Sequence, residues 1–241
     1  LAKRPDGRLF CQSKKAVNAA LNRIHFFDSS DLKSLAFVDF VIEAIFENSE
    51  AKMKLYQAIT EKVGPNVPIA SNTSTIRIGS LAQAVINPER FLGMHFFNPV
   101  PRMQLVELIF SEHTDGNTVA WATFLAAALG KTHVLAPDIP GFIVNRVALP
   151  MIATTFRVLE TMASKEDVDG AFLSGEWYKN QPAWVIMKAM AESVSNLVKE
   201  AGCSLETIDK ALQFGLNWHI KATELDKLIS LTLKKIEEQK E

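Results

Sequence analysis

Cysteine is scarce. The 241-residue chain holds only Cys11 and Cys203. Two thiols so far apart make neither a disulfide framework nor a thiolate metal cluster, a usage that fits a reducing compartment, and a cytoplasmic location is expected. An excess of one charge is absent too: the net charge is −1, with 22% of residues charged, which gives no electrostatic footprint for nucleic acid. No apolar run is long enough to span a bilayer, so no membrane partner is expected. The N-terminal "LAKRPDGRLFCQ" is basic but lacks the apolar core of a secretory signal. It also lacks an initiating Met, and a fragment or a processed product is expected. The most informative absence is glycine. None occurs between Gly7 and Gly64, and G-x-G-x-x-G is found nowhere. That turn lets a backbone approach a dinucleotide's diphosphate at a helix N-terminus.

What is present is ordinary globular composition, 48% hydrophobic, arranged with clear periodicity. "KKAVNAALNRI" (14–24) predicts a short amphipathic helix with Val17, Leu21 and Ile24 on one face. "FVDFVIEAIF" (37–46) predicts a strand buried on both faces, as in a parallel sheet. Residues 47–64 predict a helix that turns Leu55, Ile59 and Val63 to a core and closes at Gly64. Further strands are expected at 67–74, 90–97, 103–110 and 132–138, with helical turns at 78–85 and a helix at 116–130 that places Gly130 at C′. Alternating strands and helices imply a doubly wound, Rossmann-like parallel sheet. Beyond Pro140-Gly141 the strand pattern stops, and 142–162 and 183–238 predict helices. The expected domains are therefore 1–140 (α/β) and 141–241 (all-helical).

The second region contains an echo: residues 151–175 align with 190–215, Asp169 with Asp209 and Gly175 with Gly215. Ser164 and Ser204 fall where helix N-caps are wanted, with Asp167 three residues after the first. Two related helical units are expected.

Chemistry is expected at the carboxyl ends of strands, where open α/β sheets bind ligands. Ser74 follows one strand, and His95 and Glu107 sit inside two others. A lone His in an apolar run such as "GMHFFNPVP" is commonly a satisfied core residue. An ionised Glu inside a buried strand, however, needs a partner. An imidazole alongside would be held in one tautomer with its pKa raised, as a general base requires. The alternatives are an outward-facing Glu107, a Ser74 that satisfies loop backbone, and an Asn145 that is an exposed helix amide. Asn98, before Pro99, and Asn145, early in the first helix after the boundary, add amide donors. No metal ligand set is seen.

"VIEAIFEN", "SNTSTI", "RFLGMHFFNPVPRMQLVELI" and "PGFIVNR", in this order and at these spacings, resemble the L-3-hydroxyacyl-CoA dehydrogenases, closely from Phe27 to Ala163. The resemblance implies an NAD-binding Rossmann domain, a helical substrate and dimerisation domain, and oxidation of an acyl-CoA 3-hydroxyl in β-oxidation or another branch of fatty acid metabolism. It implies His95 as general base, Glu107 as its orienting partner, Ser74 and Asn145 on the substrate side, and Glu47, Lys52, Ser74 and Asn98 near the nicotinamide. The helical echo with "GEWYKNQPAW" is similar to versions fused to an enoyl-CoA hydratase. A homodimer is implied, with NAD as cofactor and acyl-CoA as substrate.

The departures are equally specific. The first βαβ unit of the family, with its Gly-rich turn, has no counterpart in this sequence. The first helical unit also skips the family's Pro-Met-Gly-Pro stretch. These departures motivate the alternative of a non-catalytic acyl-CoA-binding or dimerisation module that has lost its dinucleotide site.

Overall fold

The computed structural model describes residues 14–28, 32–168 and 181–216. The chain divides into two compact units: Leu1–Thr73 with Ile78–His133, and Ser74–Arg77 with Val134–Glu241. Among the described residues the first unit runs from α1 (Lys14–Leu21) through β1 (Val41–Glu43), α2 (Ser49–Ile59), β2 (Ile69–Ser71) and α3 (Ile78–Ala82). It then forms β3 (Phe91–Phe96), β4 (Leu105–Phe110) and α4 (Gly116–Ala128) before β5 (Thr132–Ala136), within which the division between units falls. The sheet runs β1-β2-β3-β4-β5. β1, β2 and β3 are mutually parallel, but β4 is antiparallel to β3. The expectation of a parallel sheet is corrected there for a simple reason. Only residues 97–104 join β3 to β4, too few for a crossover helix, so the chain must return as a hairpin.

Side chains alternate between faces, and the two faces differ. Ala70, Leu92, Met94, Val106 and Leu108 form one core layer with Ala122 and Ala126 of α4. The opposite face carries Phe91, Gly93 and His95, and α3 lies on it closely enough that a Cβ on Gly93 would sit 2.8 Å from Ile78 Cδ1. α4 ends as predicted. Gly130 takes the left-handed conformation (φ 69°), and Lys131 N–H donates to the Ala126 carbonyl, closing a Schellman turn.

Three other expectations change. The predicted strand 37–46 shrinks to β1, because only Val41–Glu43 pair with β2, and Phe37 and Phe46 are exposed. α2, capped by the Asn48 side chain on Ala51 N–H, turns Lys52, Tyr56 and Ile59 to the interior rather than Leu55, which is half-buried. On α1 the predicted apolar face is not buried, since Leu21 and Ile24 are exposed.

The second unit contains α5 (Val144–Thr161), α6 (Gln181–Ala201) and α7 (Leu205–Gly215). Val158, Val168 and Ile186 form its core with Met151, Leu159, Ala163 and Val185 around them. Both predicted serine caps are made: Ser204 Oγ accepts from Thr207 N–H, and Ser164 and Asp167 exchange a reciprocal capping box. Asp209 and Gly215 lie in α7, while their counterparts Asp169 and Gly175 fall outside the described residues. Among the described residues no helix is long and apolar enough to cross a membrane.

The close approach of α3 to β3 generates a test. Gly93→Ala should lower stability by about 1–3 kcal/mol, read as a fall in the urea midpoint, because the new methyl also meets Ile109 Cβ at 3.0 Å.

Candidate active site

The pairing register of β3 and β4 sets the central feature. His95 lies directly opposite Glu107, and cross-strand neighbours on one face approach closely. Nδ1 of His95 is 2.7 Å from Glu107 Oε2, with His95 4% and Glu107 0% exposed. A carboxylate only accepts, so Nδ1 carries the proton and Nε2 is left as the basic nitrogen. Phe97 packs on the imidazole at a centroid distance of 4.5 Å, which restricts the ring's rotation. The outward-facing alternative for Glu107 is thereby excluded.

One row nearer the sheet's centre, Glu43, Ser71 and Gly93 are in register across β1, β2 and β3. Glu43 is buried and accepts from Lys52 Nζ (2.7 Å), Tyr56 Oη (2.5 Å), Ser71 Oγ (2.8 Å) and Ile45 N–H (2.6 Å). These donors occupy both oxygens, as a buried carboxylate requires. Burial, and then the Glu43 carboxylate, push the Tyr56 hydroxyl far above its ordinary range, so it remains a donor.

The predicted cofactor residue Lys52 is fully buried. Besides Glu43, its ammonium faces Ile45 O at 3.3 Å and Glu47 Oε2 at 3.6 Å. Glu47, more exposed, accepts from Thr73 Oγ1 at 2.7 Å through its other oxygen. Asn98 is exposed in the turn after β3. That turn is tied down by Lys131, whose ammonium donates to the Val100 and Met103 carbonyls. In the second unit, Asn145, the second residue of α5, donates from Nδ2 to the Ser74 carbonyl at 3.1 Å, and both residues are half-buried.

The structure therefore brings together His95 with Glu107, Lys52 with Glu47, and Ser74 with Asn145. It adds Glu43, Tyr56 and Asn72, which sequence reasoning missed. Asn72 links strand ends: its N–H donates to Glu43 O, and its Oδ1 accepts from Phe96 N–H beside His95. Glu43 was detectable, since a carboxylate inside "FVDFVIEAIF" poses the same demand for a partner as Glu107. A cavity of about 630 Å³ elsewhere in the first unit is lined by Pro65, Arg90, Asp115, Trp121 and Phe124 among others, and by none of these residues. Its Arg90 is engaged by the Thr60, Gly64 and Ile86 carbonyls, so it forms part of the scaffold.

A mostly parallel sheet with a buried His–Glu pair near its strand ends has the character of a dinucleotide-dependent dehydrogenase fold. Residues 6–139 match the 3-hydroxyacyl-CoA dehydrogenase NAD binding domain, and the chain belongs to the 3-hydroxyacyl-CoA dehydrogenase family. It is 43% identical over 161 residues to a probable 3-hydroxybutyryl-CoA dehydrogenase of Deinococcus radiodurans, a match covering 66% of this chain and 57% of that protein. The aligned part thus spans little more than half the relative's length. The fold resembles the crystal structure of (S)-3-hydroxybutyryl-CoA dehydrogenase from Ralstonia eutropha (39% identity, TM-score 0.64, 79% of this chain and 69% of that one). It also resembles 3-hydroxybutyryl-CoA dehydrogenase from Escherichia coli (31% identity, TM-score 0.62, 76% of this chain and 41% of that one).

The buried Glu43–Lys52 pair yields a stability test. Lys52→Met should cost roughly 3–5 kcal/mol by leaving a buried carboxylate without its cation, whereas the double variant E43Q/K52M should cost much less. Chemical denaturation of the two proteins checks this.

Proposed function

We propose that the protein oxidises the 3-hydroxyl of an L-3-hydroxyacyl-CoA to the ketone. The observation that carries this reading is the His95–Glu107 pair, buried at 2.7 Å in a chain of this family. NAD, when bound, supplies the hydride acceptor. His95 takes the hydroxyl proton at Nε2, while Glu107 holds Nδ1–H and stabilises the imidazolium that results. Ser74 and Asn145 are assigned to the substrate's oxygen. Glu47 and Asn98 are assigned to the nicotinamide side, with Ser74 adjoining it. The donor chemistry fits that end of the cofactor, since Glu47 offers a carboxylate to a ring that is cationic when oxidised and Asn98 offers an exposed amide. Lys52, wholly buried, acts through Glu47 rather than by touching the cofactor. For the diphosphate end this sequence provides no Gly-rich turn, and no residue is assigned to it.

The helical region 141–241 is proposed to bind substrate and to form a homodimer. In support, α5 exposes Leu149, Ile152 and Phe156, spaced as one helical stripe. A fused enoyl-CoA hydratase and a cytoplasmic location belong to the same reading.

With acetoacetyl-CoA and NADH, His95→Gln should lower kcat by roughly 10²–10⁴-fold, with Glu107→Gln less severe. Equal turnover by His95→Gln and the parent would remove His95 from the mechanism. Phe156→Glu should shift the sedimentation mass from dimer to monomer; an unchanged mass would exclude this stripe from the interface.

A further inference from the structure

β3 outruns its partner on one side. Its register with β2 ends at Ser71↔Gly93, while the strand continues to Phe96 against β4. Beyond Ser71 the main chain of β2 turns off, and Thr73 N–H donates to Ser71 Oγ within its own segment. The side chain of Asn72 takes over at that point. Its Oδ1 accepts from Phe96 N–H at 2.9 Å, as a strand carbonyl would one rung further on. This bond fixes the orientation of the amide, because a main-chain N–H is met by the oxygen and not by the NH₂. The main-chain N–H of the same residue donates to Glu43 O at 2.8 Å, so Asn72 ties the last residues of β1 and β3 to the end of β2.

Phe96 N–H belongs to the peptide plane that joins His95 to Phe96, and a peptide is planar and stiff. Fixing that plane fixes the rotation about the His95 Cα–C bond, and with it the direction in which Cβ leaves the strand. Farther out, the ring is held by Glu107 at Nδ1 and by Phe97 against its face. Those contacts turn the imidazole, whereas the backbone beneath it decides where the imidazole is carried. The Phe96 side chain packs against the apolar layer on the opposite face of the sheet, so its ring and its N–H anchor the strand end from two directions.

We propose that Asn72 is a positioning residue for His95: its side-chain carbonyl supplies the rung that β2 lacks and sets the peptide plane from which the imidazole projects. This rests on the reading above that His95 is the base. Asn72 takes no proton itself and acts only through the main chain of β3. Without Oδ1, Phe96 N–H turns to water, the strand end rotates more freely, and the basic nitrogen spends time in positions from which proton transfer fails. Ground-state binding does not depend on that transfer, so the loss falls on kcat rather than KM.

The test is NMR of the full chain with histidine labelled in its ring nitrogens, read at the His95 Nδ1–H resonance and assigned by its loss in His95→Gln. Turnover with acetoacetyl-CoA and NADH reads the consequence. Asn72→Ala should weaken or erase the Nδ1–H signal, speed amide exchange at Phe96, and lower kcat by roughly tenfold with KM little changed. Asn72→Asp, which keeps an oxygen where Oδ1 lies, should recover the signal and most of the turnover. A residue that served only the scaffold would lower the urea midpoint in Asn72→Ala but leave the Nδ1–H signal and kcat as in the parent, and that outcome overturns the proposal. So does an Asn72→Asp variant that folds and recovers neither. If Asn72→Ala does not fold, Asn72→Ser, whose hydroxyl sits closer to the main chain than Oδ1, takes its place under the same criteria. Absence of turnover in the parent would instead overturn the reaction reading, and the Nδ1–H signal then decides the role of Asn72 without it.

Discussion

A carboxylate inside a sheet must find a partner or lose its charge, and this protein places two such groups in its strands, Glu43 at the end of β1 and Glu107 within β4. Glu107 is answered across β3 and β4 by His95. Glu43 is answered by donors from β2 and from the inner face of α2. Either pair broken would leave an uncompensated charge in an interior packed at near-zero exposure. The same demand that holds these elements in register therefore also orients the imidazole. Stability and chemistry are not separable here, because one hydrogen bond serves both.

The hairpin between β3 and β4 follows from this economy. A parallel fourth strand would need a crossover helix and would bring a different residue opposite His95. The short return through residues 97–104 sets an antiparallel register in which His95 and Glu107 coincide, and Lys131 ties the returning loop to the end of α4. On the other face of the sheet α4 packs Ala122 and Ala126, with Leu125 partly buried beside them, against the layer that holds Met94 and Leu108. The two faces divide the work: one is a dry apolar layer, and the other carries the ionisable groups.

Much of this was legible in order of appearance. Strand and helix positions follow from periodicity, the serine caps from their spacing, and the Gly130 stop from its place after an apolar helix. The His95–Glu107 partnership followed from the argument that a buried Glu needs a cation or donor nearby. The limits of β1 were not legible. Apolar residues continue on both sides of Val41–Glu43, and the strand ends where β2 stops offering partners, which no local pattern records. On α2 and its end the expected Ile59 and Val63 are buried, but Lys52 and Tyr56 lie inside as well and Leu55 only half so, because the Glu43 carboxylate needs their donors.

By itself, then, the order of residues determined which segments are helical or extended, which acids need compensation, and which family signature the chain carries. These are local or pairwise matters, governed by side-chain period and by the cost of desolvating charge. The tertiary structure alone decided the register that sets His95 opposite Glu107, the burial of Lys52 and Tyr56 on α2, and the short inward contact of Lys52 with Glu43. Each of these depends on how separate elements pack in space rather than on any one segment's own pattern, and Lys52 Nζ, 2.7 Å from Glu43 Oε1 and 3.6 Å from Glu47 Oε2, makes its shorter contact inward.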